Sequence, residues 1–297
     1  MRVLITGGSG FLGAWITTRL LARGVQVRSF DQRADATLVT QLCGQDMVAE
    51  LEWHIGDIAD AEQLNIATQD CDLIMHLAAV LTPACQADPI RGAHINLLGT
   101  LNVFEAAKQH GHRRVLYMSS AGVFGPHDGA TPNPTTHYGA FKLANEGCAR
   151  AYWEDHKIAS VGFRPLVVYG PGREVGLTAA PTLACKAIAN NENFSIDFSG
   201  ESDFVYVDDV AAAFDIAMSS DLVGADVFNI VGELATLERL ASMIQTHATQ
   251  SVVSVTGQPI PVCAHMLENG LYERFPQLKK TSLTQGLAAT VAHYRNH

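Results

Sequence analysis

"TGGSGFLG", residues 6–13, joins the apolar run "RVLIT" at 2–6 to the helical stretch "FLGAWITTRLLARG", which stops at Gly24. A short apolar run closed by glycines predicts a buried strand. Gly8, Gly10 and Gly13 satisfy G-x-G-x-x-G, and Gly7, Gly10 and Gly13 satisfy G-x-x-G-x-x-G. A turn this tight lets a pyrophosphate approach the backbone with no Cβ in the way. The anion then meets the free N–H groups at a helix N-terminus. A glycine motif alone is a weak signal. Between a strand and a helix, with an acid ending the next strand, it is a strong one.

That acid is Asp31, which closes "VQVRSFD". A carboxylate there accepts hydrogen bonds from an adenosine ribose and repels a 2′-phosphate, which favours NAD over NADP. Arg33, two residues on, is able to pair with such a phosphate and tempers the preference. Asp57 ends a third strand, "LEWHIGDI", where a carboxylate can accept from the adenine amino group. Further out, strands "CDLIMHLAA", "RRVLYMSS" and "IASVGFRPLVVYGPG" alternate with long helices "INLLGTLNVFEAAKQHG" and "YGAFKLANEGCARAYWEDH". This alternation predicts an α/β fold, a Rossmann-type doubly wound parallel sheet with helices on both faces. The rhythm loosens after residue 170. The expected division is a dinucleotide-binding domain over 1–170 and 203–232, and a small substrate lobe over 171–202 and 233–297. Within that lobe "TLERLASMIQTHA" predicts a helix capped by Thr236.

The bulk numbers bound the function. The chain has 297 residues, 47% of them apolar and 17% charged, with a net charge of −10, so it has ample core and no basic stripe. Nucleic acid and anionic membrane surfaces are disfavoured as partners. The six cysteines include no C-x-x-C and the twelve histidines no H-E-x-x-H, so no metal site is expected. With a strand beginning at residue 2 and no bilayer-length apolar run, the expected location is the cytoplasm.

"YGAFK" places Tyr138 four residues before Lys142, on one helix face. By itself the pair says little. Joined to "TGGSGFLG", Asp31, "GDI" at 56–58, "HLAA" at 76–79, "INLLGT" at 95–100, "SSAGVFG" at 119–125, "RPLVVYGPG" at 164–172 and "FVYVDDVA" at 204–211, it says much more. In that order along most of the chain, these motifs resemble the short-chain dehydrogenase/reductase superfamily, in its extended, NAD-dependent epimerase/dehydratase branch.

The resemblance implies that Tyr138 exchanges a proton with a substrate hydroxyl while a hydride moves to or from the nicotinamide. It implies that Lys142 lowers the phenol pKa and holds the nicotinamide ribose, and that Ser120 positions the reacting oxygen. Tyrosine titrates near 10, so base action near pH 7 needs a fall of about 3 units, or about 4 kcal/mol. A cation about 4 Å away at an effective dielectric of about 20 supplies on the order of 4 kcal/mol. The expected cofactor site comprises Gly7, Gly10, Phe11, Leu12, Gly13, Asp31, Asp57, Ile58, Leu77, Ala78, Ala79, Asn96 and Ser119 with Tyr138 and Lys142. Asn96 matches the family's helix asparagine, and Ala78 and Ala79 are small enough to line the cleft. In the family the two long helices pair across a dimer, so a homodimer is expected.

Departures from the family pattern narrow the chemistry. The Asp-Glu pair of dehydratases is replaced by Ala121 and Gly122, which cannot move a proton. The Arg that grips the diphosphate in nucleotide-sugar enzymes is replaced by Ser202, and an Asn in the strand ending "YGP" by Val167. The expectation is an NAD-dependent dehydrogenase acting on a secondary alcohol of a small sugar, sugar acid or hydroxy acid. The alternative is a nucleotide-sugar 4-epimerase that recycles bound NAD. A cofactor-sensing regulator is disfavoured because Ser120, Tyr138 and Lys142 are all present. Thr82, Ser120, His127 and Arg173 are the expected substrate contacts, Arg173 through a carboxylate.

Overall fold

The structure is a computed structural model and describes residues 1–126, 129–176, 178–259 and 263–297. Seven strands form the main sheet: β1 (Arg2–Thr6), β2 (Gln26–Asp31), β3 (Glu52–Ile55), β4 (Leu73–His76), β5 (Arg114–Met118), β6 (Ala159–Pro165) and β10 (Ala225–Ile230). Their order is β3-β2-β1-β4-β5-β6-β10, and every pairing is parallel. The order reverses between β1 and β4, which opens the crevice where doubly wound sheets take dinucleotides.

Side chains alternate between the two faces of each strand. Val3 and Ile5, Leu73 and Met75, and Leu116 and Met118 point into one core, with the helices Phe11–Ala22 and Val207–Met218. Leu4, Ile74, Val115 and Tyr117 point into the other, against Ala61–Thr68, Gly99–Gln109 and His137–His156. Because both faces are covered, the central strands β1, β4 and β5 are buried along nearly their whole length, whereas β3 at the sheet edge is not.

The strand predicted across residues 158–172 is broken at Leu166. β6 ends at Pro165, and β7 (Val167–Tyr169) leaves for a second, three-stranded sheet with β9 (Glu201–Tyr206) and β11 (Glu233–Thr236). Of the segment 203–232, Ala225–Ile230 joins the large sheet, but β9 joins the small one, parallel to β7 and antiparallel to β11. A third, two-stranded sheet pairs β8 (Phe194–Ile196) with β12 (Val253–Val255). The helix Leu237–Gln245 is capped by the Thr236 hydroxyl, which accepts from Arg239 N. No helix among the described residues is long and apolar enough to cross a membrane.

Candidate active site

The glycine turn fits a pyrophosphate. Gly7 adopts φ +75°, and a Cβ there would lie 2.8 Å from Ala78 N. A Cβ on Gly13 would lie 2.4 Å from Gly7 O, so the helix can start against the turn only if residue 13 is glycine. Gly10 precedes the helix Phe11–Ala22 and offers no side-chain cap. The first amides, at Phe11, Leu12 and Gly13, lie ahead of any intrahelical acceptor and suit an anion.

Next to this turn is a cleft of about 230 Å³ lined by Gly7, Gly10, Asp31, Ile58, Leu77, Ala78 and Ala79, all expected from sequence. The Asp31 carboxylate is fixed at both oxygens, accepting from Ser9 N at 3.0 Å and Gln32 N at 2.7 Å. Each oxygen keeps a lone pair for a ribose hydroxyl. Arg33 is turned away, 77% exposed and 3.7 Å from Asp35. Asp57 does not line the cleft. Its carboxylate accepts from Ala59 N at 2.9 Å and from the Gln32 side chain at 3.3 Å. Phe30, Gln32 and Arg91 line it unforeseen. Gln32 had a signal, as the residue after the ribose acid; Arg91 had none.

A second cleft, of about 210 Å³, opens at the other end of the turn and contains Phe11, Leu12, Thr82, Ser119, Ser120, Tyr138 and Arg173. Ser120 follows β5 and caps the short turn Ala121–Val123, its Oγ accepting from Gly122 N at 3.1 Å. Tyr138 sits in the first turn of the helix His137–His156, which Thr136 caps by accepting from Gly139 N at 3.0 Å. A Cβ on Gly139 would lie 2.2 Å from Gly122 O. That close backbone approach brings the tyrosine to the serine, and both line the same cleft. Gly139 is therefore a site-building residue that the motif reading passed over.

Lys142 is 2% exposed and donates to Met118 O at 2.7 Å, with its ammonium 5.7 Å from the Tyr138 ring centroid. Burial pulls its pKa down to about 8. Burial also lifts Tyr138 above the usual phenol value. The Ser120 hydrogen bond and the Arg173 charge partly offset that rise. The ammonium points to a strand-end carbonyl, and Arg173 is the cation that acts on the phenol. Arg173 is itself largely desolvated, with its guanidinium 5.8 Å from the Phe11 ring centroid.

Two expected cofactor contacts have other employment. Asn96 lies in a π turn, His94–Leu98, and is 1% exposed. Its side chain accepts from Val80 N and donates to Val80 O, both at 2.9 Å, and lies 3.0 Å from Cys85 Sγ. It fixes the loop between the two clefts rather than lining either. The Ser119 hydroxyl donates to Glu146 at 2.5 Å. Glu146 in turn takes Arg164 Nε at 2.7 Å and Nη2 at 2.5 Å, a buried ion pair under the site. His76 bridges the Thr6 and Thr100 hydroxyls at 2.7 and 3.0 Å, and burial holds it neutral, its pKa brought down to about 3. His127 lies outside the described residues.

A family model described as the NAD-dependent epimerase/dehydratase family matches residues 3–231. A UDP-glucose 4-epimerase of Mycolicibacterium smegmatis is 29% identical over 321 aligned residues, covering 100% of this chain and 99% of the relative. A 2-alkyl-3-oxoalkanoate reductase of Stenotrophomonas maltophilia is 29% identical over 236, covering 76% and 67%. The crystal structure of Thermus thermophilus UDP-glucose 4-epimerase in complex with NAD superposes with a TM-score of 0.84 at 26% identity, covering 99% of both chains. The family match spans most of the chain and its parallel sheet, and the chain belongs to the NAD-dependent epimerase/dehydratase family, the extended branch of the short-chain dehydrogenases/reductases.

Proposed function

We propose that the protein is an NAD-dependent dehydrogenase that oxidises a secondary alcohol of a small acid, with Tyr138 as general base. NAD, held by the glycine turn and Asp31, would supply the hydride acceptor. The carbinol carbon gives up its hydrogen as hydride, the hydroxyl proton passes to the Tyr138 oxygen, and the C–O bond becomes C=O. Ser120 donates to the reacting oxygen and keeps it within reach of Tyr138. Lys142, four residues after Tyr138, rises from the same helix face and holds the nicotinamide ribose. Arg173 takes the substrate carboxylate, and Thr82 contacts the substrate from the opposite wall.

The observation that carries this reading is the second cleft: Ser120 and Tyr138 line it together with the half-buried Arg173, whose Nε is buried without a hydrogen-bond partner and which has no carboxylate partner among the described residues. A desolvated guanidinium without a counter-ion is costly, and a carboxylate offsets that cost. Ser202 speaks against a diphosphate substrate. It is 1% exposed in β9, opposite Ala235, where a nucleotide-sugar enzyme would present a cation.

The test is NADH formation at 340 nm with sugars, sugar acids and hydroxy acids, after the purified protein has been checked for bound cofactor. NADH accumulating with an acid is the expected result. Conversion of UDP-glucose to its 4-epimer on tightly held NAD, with no net NADH, would overturn it. That second reading is favoured by the full-length likeness to the UDP-glucose 4-epimerases.

A further inference from the structure

We infer that the alcohol taken at this site is a short aliphatic hydroxy monocarboxylate, not a polyhydroxylated sugar acid. The inference rests on the reading of Tyr138 as the base and deepens it to a substrate class.

The walls of the second cleft are chiefly hydrocarbon: Phe11, Leu12, Leu81, Pro83, Leu166 and Val168. Its hydroxyls are partly engaged. Thr136 accepts from Gly139 N, Ser120 accepts from Gly122 N, and Ser119 donates to Glu146. Thr178 accepts from an Arg173 nitrogen at 3.4 Å. That leaves Thr82, Thr135, Arg173 and the hydroxyl protons of Thr136 and Thr178 to meet a substrate's polar groups. A chain with a hydroxyl on every carbon would bury several of them unpaired, each at a loss of about tenfold or more in affinity. An aliphatic chain loses nothing there and gains from leaving water.

Arg173 places the charge on that chain. Its Nε is buried without a hydrogen-bond partner, and its one side-chain bond among the described residues, to Thr178, is long at 3.4 Å. Arg173 and Tyr138 line the same cleft. A carboxylate on Arg173 and a carbinol at Tyr138 therefore share that one small space. A cleft of about 210 Å³ is smaller than the usual range for drug-sized ligands, about 300–1,000 Å³, which fits an acid of a few carbons.

Two measurements on the full chain test this. Calorimetry of the NAD-saturated protein with butyrate and valerate, which carry no oxidisable alcohol, reads the carboxylate site alone. Turnover at 340 nm compares 2- and 3-hydroxybutyrate and 3-hydroxyvalerate with gluconate and with 2-butanol. The expected result is butyrate binding that weakens at least tenfold in Arg173→Gln and less in Arg173→Lys, with unfolding temperatures recorded for both variants. Turnover should be at least tenfold higher in kcat/KM for the aliphatic hydroxy acids than for gluconate or 2-butanol. Equal butyrate binding by wild type and a folded Arg173→Gln variant would overturn the inference, as would gluconate or 2-butanol as the better substrate. Butyrate binding that depends on Arg173, with no NADH from any alcohol, would overturn Tyr138 as base and support the carboxylate site.

Discussion

The two clefts on either side of the glycine turn are built by different means. The adenosine cleft is mostly local and mostly backbone: a turn that tolerates only glycine at its tightest points, a helix start, and one acid on the next strand. The reaction cleft is assembled from side chains of distant segments, brought together by Gly139 lying against Gly122, by the chain break at Leu166, and by the loop that Asn96 holds. A backbone-built site binds a constant ligand. A site built from side chains changes its ligand by substitution while the chemistry stays in place.

If the two ends are separable, changes at one leave the other intact. The largest expected effect is at the reaction end. Tyr138→Phe should lower kcat by about 10²–10⁴-fold with the calorimetric Kd for NAD nearly unchanged. A variant retaining a tenth of the activity would sink Tyr138 as the base.

Next in size is the support beneath the site. Removing one partner of the buried Glu146–Arg164 pair strands the other charge, at a cost of roughly 3–5 kcal/mol. Glu146→Ala should lower Tm by about 10 °C. Glu146→Leu combined with Arg164→Met should recover most of that loss. Equal Tm for wild type and the single variant would show that the pair carries no such load.

Lys142 gives a smaller effect of opposite sign. Its folded pKa is about 8, against about 10.4 in the unfolded chain, so in that window the unfolded chain holds more protons. Stability therefore rises with pH from about 8 to 10.4, and the full penalty, about 3 kcal/mol, is present below pH 8. Lys142→Met removes that penalty and loses one hydrogen bond worth about 1 kcal/mol. At pH 7 and without cofactor the variant should be inactive yet melt several degrees higher, and the gain should vanish near pH 10. A lower Tm at pH 7 would count against the strained ammonium.

Smallest is the cofactor end. Asp31→Ala should weaken NAD binding by roughly tenfold through lost charge-assisted bonds and narrow the preference over NADP, leaving kcat at saturation unchanged. A fall in kcat would show that the two ends are coupled.

Legibility in the sequence follows the same division. "TGGSGFLG", Asp31 and the strand–helix alternation were readable because periodicity and glycine geometry are local properties. The break at Leu166 was not: Pro165 and Val167 look like one apolar strand, and only the small sheet explains the exchange. Asn96 and Ser119 stood in the right motifs, but a motif does not say which way a side chain points. Asn96 turns to Val80, and Ser119 turns to a glutamate 27 residues on. Leu81, Pro83, Leu166 and Thr178 belong to no spacing rule, and each reaches the cleft only through tertiary packing.

The π turn at His94–Leu98 carries a further consequence, for comparing chains by alignment. The turn absorbs one residue beyond the α repeat, so the helix after it keeps its face, with Val103, Phe104 and Ala107 each 0% exposed. A chain lacking that residue would run as plain α-helix and present the same face to the sheet. A one-residue alignment gap belongs between 94 and 98 rather than in the buried helix that follows.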